Sequence, residues 1–354
     1  MNILFTSAGR RGYLIRYFKE VIGNGKIHVA NSSSDSTAMH FADKSIVTPL
    51  IYDDSYIPFL LNYCIEQRIN VIIPLFDIDL RILAKNKRKF EEICVNVIVS
   101  SEKVIEICND KWLTYCFLKS NGYKTPITFL SLSKVLVALE EHEIHFPLMI
   151  KPRWGMGSML VYEVENIEEL KVLYKKVRNN LSKTYLSYES EQNMDESVVI
   201  QEKVIGQEFG LDSINNLNGC FENTIVKKKL SMRAGETDAA VTVVDKELHY
   251  LGESLSRKVE HIGNLDIDVI KTREGESYIL EMNARFGGGY PFSHIAGVNL
   301  PKAMIAWLTN DLVERSDLEA EARIVGYKDI DIISKELEGC VVGNEQNTRK
   351  LSKI

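Results

Sequence analysis

The amino-acid sequence contains, at residues 266–289, the stretch D-I-D-V-I-K-T-R-E-G-E-S-Y-I-L-E-M-N-A-R-F-G-G-G. Residues 265–270 alternate apolar and acidic side chains, which is typical of a half-buried β-strand. A polar turn at 273–276 separates this segment from a second apolar-rich segment at 277–282. The two segments therefore predict a β-hairpin.

The side chains on this hairpin predict a metal site. Asp268 is expected to lie across from Glu281, and Asn283 shares the face of Glu281 because side chains repeat every second residue. Two carboxylates and an amide oxygen suit Mg²⁺, with nucleotide phosphates completing its coordination. The sequence leaves open whether Asp266 replaces or assists Asp268. Arg285 follows two residues further along the same face. We expect it to place a fixed positive charge beside the metal, where a phosphoryl group would be transferred. The alternative is a solvated acidic strand with a surface arginine.

The composition is ordinary for a globular protein and excludes some classes of partner. The net charge of −6 argues against a nucleic-acid-binding protein that works through a basic surface. Six scattered cysteines without C-x-x-C spacing predict reduced thiols in a cytosolic protein. We see no signal-peptide pattern and no apolar run of ~18 residues, so we expect a cytoplasmic protein that does not enter a membrane.

Residues 1–100 read as a small doubly wound α/β domain. An apolar strand at 2–7 leads through A-G-R-R-G at 8–12 into an amphipathic helix. Further strands are predicted at residues 28–31, 45–48, 71–75 and 95–100. The glycine loop lacks G-x-G-x-x-G, so it is interpreted as a tight turn rather than a nucleotide site. Asp77 and Asp79 follow the fourth strand, where they either meet ligands or cap the next helix.

A second glycine loop has the features of a phosphate-binding loop. A predicted strand at 146–150 ends at Lys151, and R-W-G-M-G-S at 153–158 leads into a predicted strand at 159–162. Glycines allow backbone N–H groups to approach phosphates closely, and the ammonium neutralises their charge. An ordinary β-hairpin with glycines in its turn is the alternative.

The remaining local predictions are structural. We expect one helical stretch from Ser101 through N-D-K at 109–111, a mobile polar connection at 182–197 and a buried strand at 198–202. The lysines at 227–229 read as a solvated strand face. The glycine-rich segment 286–292 is predicted to be irregular, and the tail at 344–354 to be disordered or peripheral.

Taken together, the motifs resemble the ATP-grasp superfamily. The string E-M-N-A-R at 281–285, after a strand that carries an acid, resembles its metal-binding end, and K-P-R-W-G-M-G-S at 151–158 resembles its K-P-x-x-G-x-G-S loop. F-T-S-A-G-R-R and I-P-L-F-D-I-D-L resemble the carbamoyl-phosphate-synthetase-like branch. The resemblance covers roughly residues 1–310. It implies an α/β fold in which a Rossmann-like preceding domain (1–100) is followed by a two-subdomain ATP-grasp fold (101–197, with the glycine-rich loop, and 198–354, with the metal site and tail).

The resemblance also implies roles for individual residues. Lys111 would contact nucleotide phosphate, the backbone at 201–204 would bind the adenine edge, and Glu208 would bind the ribose hydroxyls. Arg285 and Arg233, the latter in R-A-G-E, would act on the transferred phosphate. The implied nucleotide-binding set is Lys111, Lys151, Gly155, Gly157, Ser158, Gln201, Glu202, Lys203, Val204 and Glu208, and the implied metal set is Asp268, Glu281 and Asn283.

The implied reaction is an ADP-forming ligation with ATP and Mg²⁺, Mn²⁺ being an alternative ion. A small carboxylate, such as an amino acid, would be activated as an acyl phosphate and then joined to an amine. A homodimer is expected by analogy with relatives. Two alternatives stay open: an ATP-grasp carboxylase or thiol ligase, and a non-catalytic ATP-binding regulatory module.

Overall fold

The N-terminal part of the chain forms a five-stranded parallel sheet in the computed structural model, which describes residues 1–233 and 235–329. Its strands, in the spatial order β3-β2-β1-β4-β5, are β1 (Ile3–Thr6), β2 (Ile27–Asn31), β3 (Lys44–Val47), β4 (Val71–Pro74) and β5 (Asn96–Val97). Its helices are α1 (Gly12–Val21), α2 (Tyr56–Gln67) and α3 (Asp77–Glu91), with a 3-10 turn at Thr37–Phe41. The strand order reverses between β1 and β4, which creates the crevice where such sheets bind ligands.

A smaller, four-stranded sheet follows. Its strands, in the order β6-β9-β7-β8, are β6 (Thr128–Phe129), β7 (Leu148–Pro152), β8 (Tyr162–Val164) and β9 (Val198–Glu202). The helices of this region are α4 (Glu102–Asn109), α5 (Lys111–Ser120), α6 (Leu132–Glu140), α7 (Ile167–Leu181) and α8 (Ser187–Ser190), with a 3-10 turn at Glu191–Glu196.

The third sheet has six strands in the order β14-β13-β10-β11-β12-β15. They are β10 (Gln207–Asn215), β11 (Phe221–Arg233), β12 (Glu236–Thr242), β13 (Gly263–Lys271), β14 (Ser277–Asn283) and β15 (Val325–Tyr327). The helices are α9 (Lys246–Val259), α10 (Tyr290–Ile295) and α11 (Leu300–Thr309), with a 3-10 turn at Arg315–Leu318. The predicted α/β fold with a parallel N-terminal sheet is confirmed.

The hydrophobic cores join the first and third sheets and leave the second with its own core. One cluster combines Leu4 of β1 and Leu80 of α3 with Ile267 of β13. A second cluster joins Phe5 to Tyr290 of α10. The four-stranded sheet packs on a separate cluster that includes Ile150 and Val177. The N-terminal domain and the six-stranded sheet therefore form one base, against which the four-stranded unit is placed.

Several local predictions are wrong. The helical stretch through 109–111 is broken at Asp110, which caps α5 by accepting hydrogen bonds from the backbone of Trp112 and Leu113. The strand expected at 159–162 begins only at Tyr162, because Ser158 and Leu160 have positive φ angles of 54° and 56°. The segment 286–292 is only partly irregular, since α10 begins within it.

The polar connection at 182–197 contains α8 and a 3-10 turn, so it is not an irregular linker throughout, and its mobility stays a prediction. Tyr188 stacks on Tyr52 with ring centroids 3.4 Å apart, and Tyr185 lies against Phe76. Aromatic contacts with the N-terminal domain thus hold a segment that its composition suggested was solvated.

The helices and the cysteines can be compared with the expectations about membranes and thiols. Within residues 1–233 and 235–329, no helix is both long and apolar enough to cross a bilayer. Five cysteines, at positions 64, 94, 108, 116 and 220, are free thiols, and Cys340 lies outside the described residues, as does the tail at 344–354.

Candidate active site

A cavity of about 440 Å³ lies between the four-stranded and six-stranded sheets. All ten residues predicted to bind the nucleotide line it, together with the predicted metal ligands Asp268 and Glu281. Apolar side chains, including Met149, Val161 and Leu280, complete the walls. The fold therefore brings together residues that are up to 170 positions apart in the sequence, from Lys111 to Glu281.

The glycine-rich loop is anchored to the start of α5. Asp110 accepts hydrogen bonds from Arg153 Nε at 2.9 Å, and the Arg153 side chain is largely buried. Lys111 Nζ donates to the Gly155 carbonyl at 2.7 Å. The N-cap residue of α5 and the first residue of that helix thus fix the loop and place the Lys111 ammonium at its edge.

The loop adopts backbone conformations that favour glycine. Gly155 has a φ of 112° and Gly157 a φ of 66°. The loop also lies directly against the turn that contains Gly235, where an added Cβ would come within 2.4 Å of Ser158 Oγ. The glycine of R-A-G-E therefore permits the phosphate-loop candidate to close against the turn between β11 and β12.

Lys151 ends β7 inside the cavity wall. Its Nζ donates to Gln201 Oε1 at 2.7 Å, and Gln201 Nε2 donates to Thr128 Oγ1 at 2.7 Å, so the buried Gln201 side chain orients the lysine. Burial, and then the charge of Lys111, lower the pKa of Lys151 to about 8. The site contains two neighbouring ammonium groups, which favours an anionic ligand.

The chain crosses between the two sheets at residues 202–206, next to the cavity. The Glu202 N–H donates to the Ile127 carbonyl at 2.9 Å, and the Lys203 N–H to the Pro147 carbonyl at 3.4 Å. Within the described part of the chain, the Val204 N–H has no hydrogen-bond partner. The predicted contact of this backbone with an adenine edge stays a prediction. Glu208 lines the same cavity with a half-exposed side chain.

The metal hairpin has the predicted register. Asp268 pairs with Glu281 and Asp266 with Asn283 across β13 and β14. Asn283 Nδ2 donates to Glu281 Oε1 at 3.3 Å, which leaves the amide oxygen available. Burial raises the pKa of Glu281, but Lys111 and Lys151 outweigh it, so that the pKa lies below its ordinary value. Glu281 is therefore an ionised carboxylate beside the cavity.

Asp266 lies further along the same face. Burial, and next the charge of Asp268, raise its pKa above the ordinary value. The glycine segment after β14 passes directly over this carboxylate, since a Cβ at Gly287 would lie 2.1 Å from Asp266 Cγ. The arrangement explains why glycine is needed here. In the strand register Asp266 lies beside the predicted metal ligands and takes the place of neither Asp268 nor Glu281.

The triple lysine is not a solvated strand face, contrary to the prediction. Lys227 and Lys229 point inward from β11, and Lys229 Nζ donates to Asp268 Oδ1 at 2.7 Å. The buried Lys227 pairs with the fully buried Asp212 and donates to the Gly289 carbonyl at 3.3 Å. Because Lys227 and Lys229 are two positions apart on one strand, the sequence could have placed them on the same face. It could not show that this face is the buried one, since their acidic partners lie on other strands.

Arg285 is buried against the N-terminal domain. Its Nε and Nη2 donate to the two carboxylate oxygens of Asp77 at 2.9 and 3.0 Å, and its Nη1 donates to the Phe286 carbonyl at 3.2 Å. Burial lowers the pKa of Arg285, but Asp77 and Asp266 outweigh this effect and raise it. Asp77 thus binds Arg285 and does not cap α3, whose N-cap is Phe76; Asp79 is buried and accepts hydrogen bonds from Ser7 and Tyr56.

Arg233 faces away from the site. It is more than half exposed and pairs with Asp238 at 2.7 Å, while its neighbour Met232 lines the cavity. Register shifts on either side of Ser231 change which side chains of β11 point inward. The role of Arg233 beside the transferred phosphate stays a prediction.

A second cavity, of about 180 Å³, adjoins the first. Both cavities are bordered by Lys229, Asp268 and Glu281, and the second extends past Asn283 and Arg285 to Arg11 of the N-terminal domain. The hairpin of β13 and β14 therefore lies between two cavities. The large cavity is lined by lysines and the glycine-rich loop, and the small cavity is lined by charged side chains. The sequence predicted the hairpin, but it did not predict Arg11 or Lys229 at this site.

The chain belongs to the ATP-grasp family, because the model of the ATP-grasp domain matches residues 108–289, about half of the sequence. A second model, described as the PylC-like N-terminal domain, matches residues 3–98. The first match includes the residues that line the cavity between the two later sheets, and the second coincides with the parallel N-terminal sheet.

Similarity to curated proteins covers parts of much longer chains. The sequence is 26% identical over 167 residues to acetyl-CoA carboxylase 2 from Oryza sativa subsp. japonica, which is 46% of this chain and 7% of that protein. It is 25% identical over 253 residues to the carbamoyl phosphate synthase large chain from Helicobacter pylori, which is 69% of this chain and 22% of that protein.

Solved structures share the fold at low sequence identity. The biotin carboxylase domain of 2-oxoglutarate carboxylase from Hydrogenobacter thermophilus, a dimer in complex with MgADP, ADP and bicarbonate, has a TM-score of 0.69 at 20% identity. That match covers 92% of this chain and 73% of the other. The L-amino acid ligase from Bacillus licheniformis has a TM-score of 0.63 at 18% identity, covering 91% and 77%.

Proposed function

We propose that this protein is an ATP-dependent ligase that activates a small carboxylate as an acyl phosphate and couples it to an amine. The observation that carries the proposal is the shared wall of the two cavities. Asp268 and Glu281 border both the large cavity, lined by the predicted nucleotide-binding residues, and the small one, lined by arginines. A terminal phosphate in the first cavity and an acid in the second would meet at this hairpin.

The family and the MgADP complex of a relative bear out ATP and Mg²⁺ as the cofactors. The donor set of this chain fits the ion, because Glu281 is ionised, Asp268 is held by an exchangeable lysine contact, and Asn283 keeps a free amide oxygen. Bound there, Mg²⁺ would neutralise phosphate charge and act as a Lewis acid. The use of Mn²⁺ stays a prediction.

The proposed reaction has two steps. An oxygen of the substrate carboxylate attacks the γ-phosphorus of ATP, the bond from that phosphorus to the β,γ-bridging oxygen breaks, and ADP leaves. An amine nitrogen then attacks the acyl carbon, phosphate leaves, and the amine loses a proton to solvent. The chain contributes positioning and positive charge, through Lys111, Lys151 and the glycine loop, rather than a covalent nucleophile.

The small second cavity supports a small acid. A cavity of about 150 Å³ holds a molecule of about the size of benzene. The small cavity, of about 180 Å³, therefore suits a small amino acid together with one oxygen of the phosphate. The similarity to an L-amino acid ligase supports an amino acid and an amine as substrates. A homodimer and a cytoplasmic location stay predictions.

A carboxylase is the second candidate, because a similar structure was solved with bicarbonate. The two reactions differ in a simple requirement: a carboxylase consumes ATP only when bicarbonate is present, whereas an amine ligase does so in bicarbonate-free buffer. A purely regulatory module is less well supported, since an ionised, partly buried Glu281 that faces the charges of Lys111 and Lys151 serves no evident structural need.

The direct test is a phosphate-release screen of paired acids and amines with MgATP in bicarbonate-free buffer. We expect phosphate and ADP to appear in equal amounts, dependent on both an acid and an amine. Phosphate release that requires bicarbonate or a thiol would favour the other ligase classes. Absence of ADP release with every acid, with and without bicarbonate, would contradict the proposal.

The lowered pKa of Lys151 gives a prediction for nucleotide affinity. The ammonium is largely charged below pH 8, half charged near pH 8 and increasingly neutral above it, so the affinity for a polyanion should begin to fall near pH 8 and approach a tenfold loss per pH unit well above it. Lys151→Met should lower the affinity for MgADP about 10- to 100-fold at pH 7.5 and remove this pH dependence.

Isothermal titration calorimetry between pH 7.5 and 9.5 measures both effects. Lys183→Met is the matched control, because Lys183 is an exposed lysine outside the cavity. If Lys151→Met kept the slope of the natural protein above pH 8, the titrating group would be another one.

A further inference from the structure

Arg285, the arginine that the sequence assigned to the reacting phosphate, has few donors left. Three of its nitrogens donate to Asp77 and to the Phe286 carbonyl. A guanidinium has five N–H donors in a rigid plane, and this one is held in place by a bidentate carboxylate contact. Arg285 therefore keeps at most two N–H donors for a ligand in the small cavity. A guanidinium that is not already paired with a carboxylate would bind an anionic substrate better.

Arg11 is such a cation. Its Nη1 donates to the Leu75 carbonyl at 2.7 Å, and no carboxylate of residues 1–233 or 235–329 lies within ion-pairing distance of it. The side chain lines the 180 Å³ cavity that also contains Arg285. Burial, and next the positive charge of Arg285, lower the pKa of Arg11. Two guanidinium groups thus share a cavity, and only one has a carboxylate partner.

The position of Arg11 in the fold is an independent indication of an anion site. Arg11 directly precedes α1, a helix of ten residues whose first N–H groups carry partial positive charge. Leu75, which accepts its hydrogen bond, follows β4. Arg11 therefore lies between the carboxyl ends of β1 and β4, where the strand order of the sheet reverses and ligands of doubly wound folds bind.

We propose that Arg11 binds the carboxylate of the acid substrate in the small cavity, while Arg285 is a positioning residue held by Asp77. The phosphorylation of that carboxylate rests on the proposed function, whereas its binding by Arg11 does not. It assigns the N-terminal domain a direct part in substrate selection: the guanidinium would accept small carboxylic acids and disfavour amides and esters of the same shape, which cannot form a charge-assisted pair.

The test measures binding without turnover. Ligand-observed NMR with the full chain and saturating MgADP would use a panel of amino acids and of C2–C5 carboxylic acids, each with its primary amide. Arg11→Gln should weaken binding of the acids about 10- to 100-fold and leave the amides unaffected. Arg11→Lys should lie between the two, because it keeps the charge and loses the planar fork.

Arg10→Gln is the matched control, since Arg10 is the exposed neighbour in the same loop. Calorimetric affinity for MgADP should stay within about twofold in all three variants, which separates a substrate contact from a folding defect. Unchanged acid binding in Arg11→Gln, an equal loss in Arg10→Gln, or failure of the natural protein to bind any acid would overturn the inference. Arg11-dependent binding without ATP consumption would instead contradict the proposed ligase function and leave the acid site standing.

Discussion

Replacing Glu281 by glutamine is expected to reduce kcat about 1,000-fold while leaving the fold intact. Glu281 is the carboxylate that borders both cavities and remains ionised between Lys111 and Lys151. Glutamine has nearly the same shape but removes the negative charge that would hold a divalent ion. Metal ions contribute several kcal/mol to the stabilisation of a charged transition state, and each 1.36 kcal/mol corresponds to a factor of ten in rate.

The measurement is steady-state ADP release with the acid and amine found in the screen, over a range of Mg²⁺ concentrations. Glu274→Gln is the control, because Glu274 is an exposed acid in the turn of the same hairpin. A far-ultraviolet circular dichroism spectrum and a cooperative thermal transition should match those of the natural protein. Wild-type rates in Glu281→Gln would show that the hairpin is not the metal site.

The second large effect concerns stability, and we expect Asp77→Asn to lower the free energy of unfolding by about 3–5 kcal/mol. Asp77 and Arg285 form a buried, bidentate ion pair whose side chains are about one-tenth exposed or less. Asparagine removes the closer carboxylate and leaves the buried guanidinium with Asp266, 3.7 Å from Nη1, and the loss of a charge partner is costly in an interior of low polarity. The pair joins α3 to the segment after β14, so its loss would also loosen the base of the site.

Urea denaturation followed by linear extrapolation gives the free energy of unfolding. Asp54→Asn is the matched control, because Asp54 is exposed and lies in a loop before α2. The double variant Asp77→Asn/Arg285→Met should be more stable than the sum of the single effects predicts, by about 0.5–3 kcal/mol, since it removes the guanidinium that Asp77→Asn alone leaves buried without its bidentate partner. Additive single effects would mean that the two side chains do not stabilise one another.

The ion pair also has a functional consequence. It fixes Arg285 from the N-terminal domain, so that the wall of the small cavity is built by residues that are 208 positions apart. Because the N-terminal sheet and the six-stranded sheet share hydrophobic cores, this wall is part of the base that the two sheets form together. The four-stranded unit, with its separate core and the glycine loop, is the part placed against it.

The sequence alone determined the hairpin of β13 and β14 and its register, while its metal-binding role stays a prediction. Strand side chains alternate with a period of two, and the turn length limits the pairing, so Asp268 opposite Glu281 followed from local pattern. The phosphate-loop candidate followed from a local pattern, a lysine at a strand end and a glycine loop, whereas the roles of Lys111, of residues 201–204 and of Glu208 came from the family resemblance and stay predictions. The loop and all ten residues line one cavity.

Only the tertiary structure decided which charges meet. Lys229 contacts Asp268 and Arg285 contacts Asp77 because separate strands and domains pack together, and alternation along one strand does not specify the partner on another. Arg233 shares the sequence parity of Lys227 and Lys229, yet the register shifts at Ser231 turn it outward. Local periodicity fixes the face on which a side chain lies, while the partner that covers this face depends on contacts between distant parts of the chain.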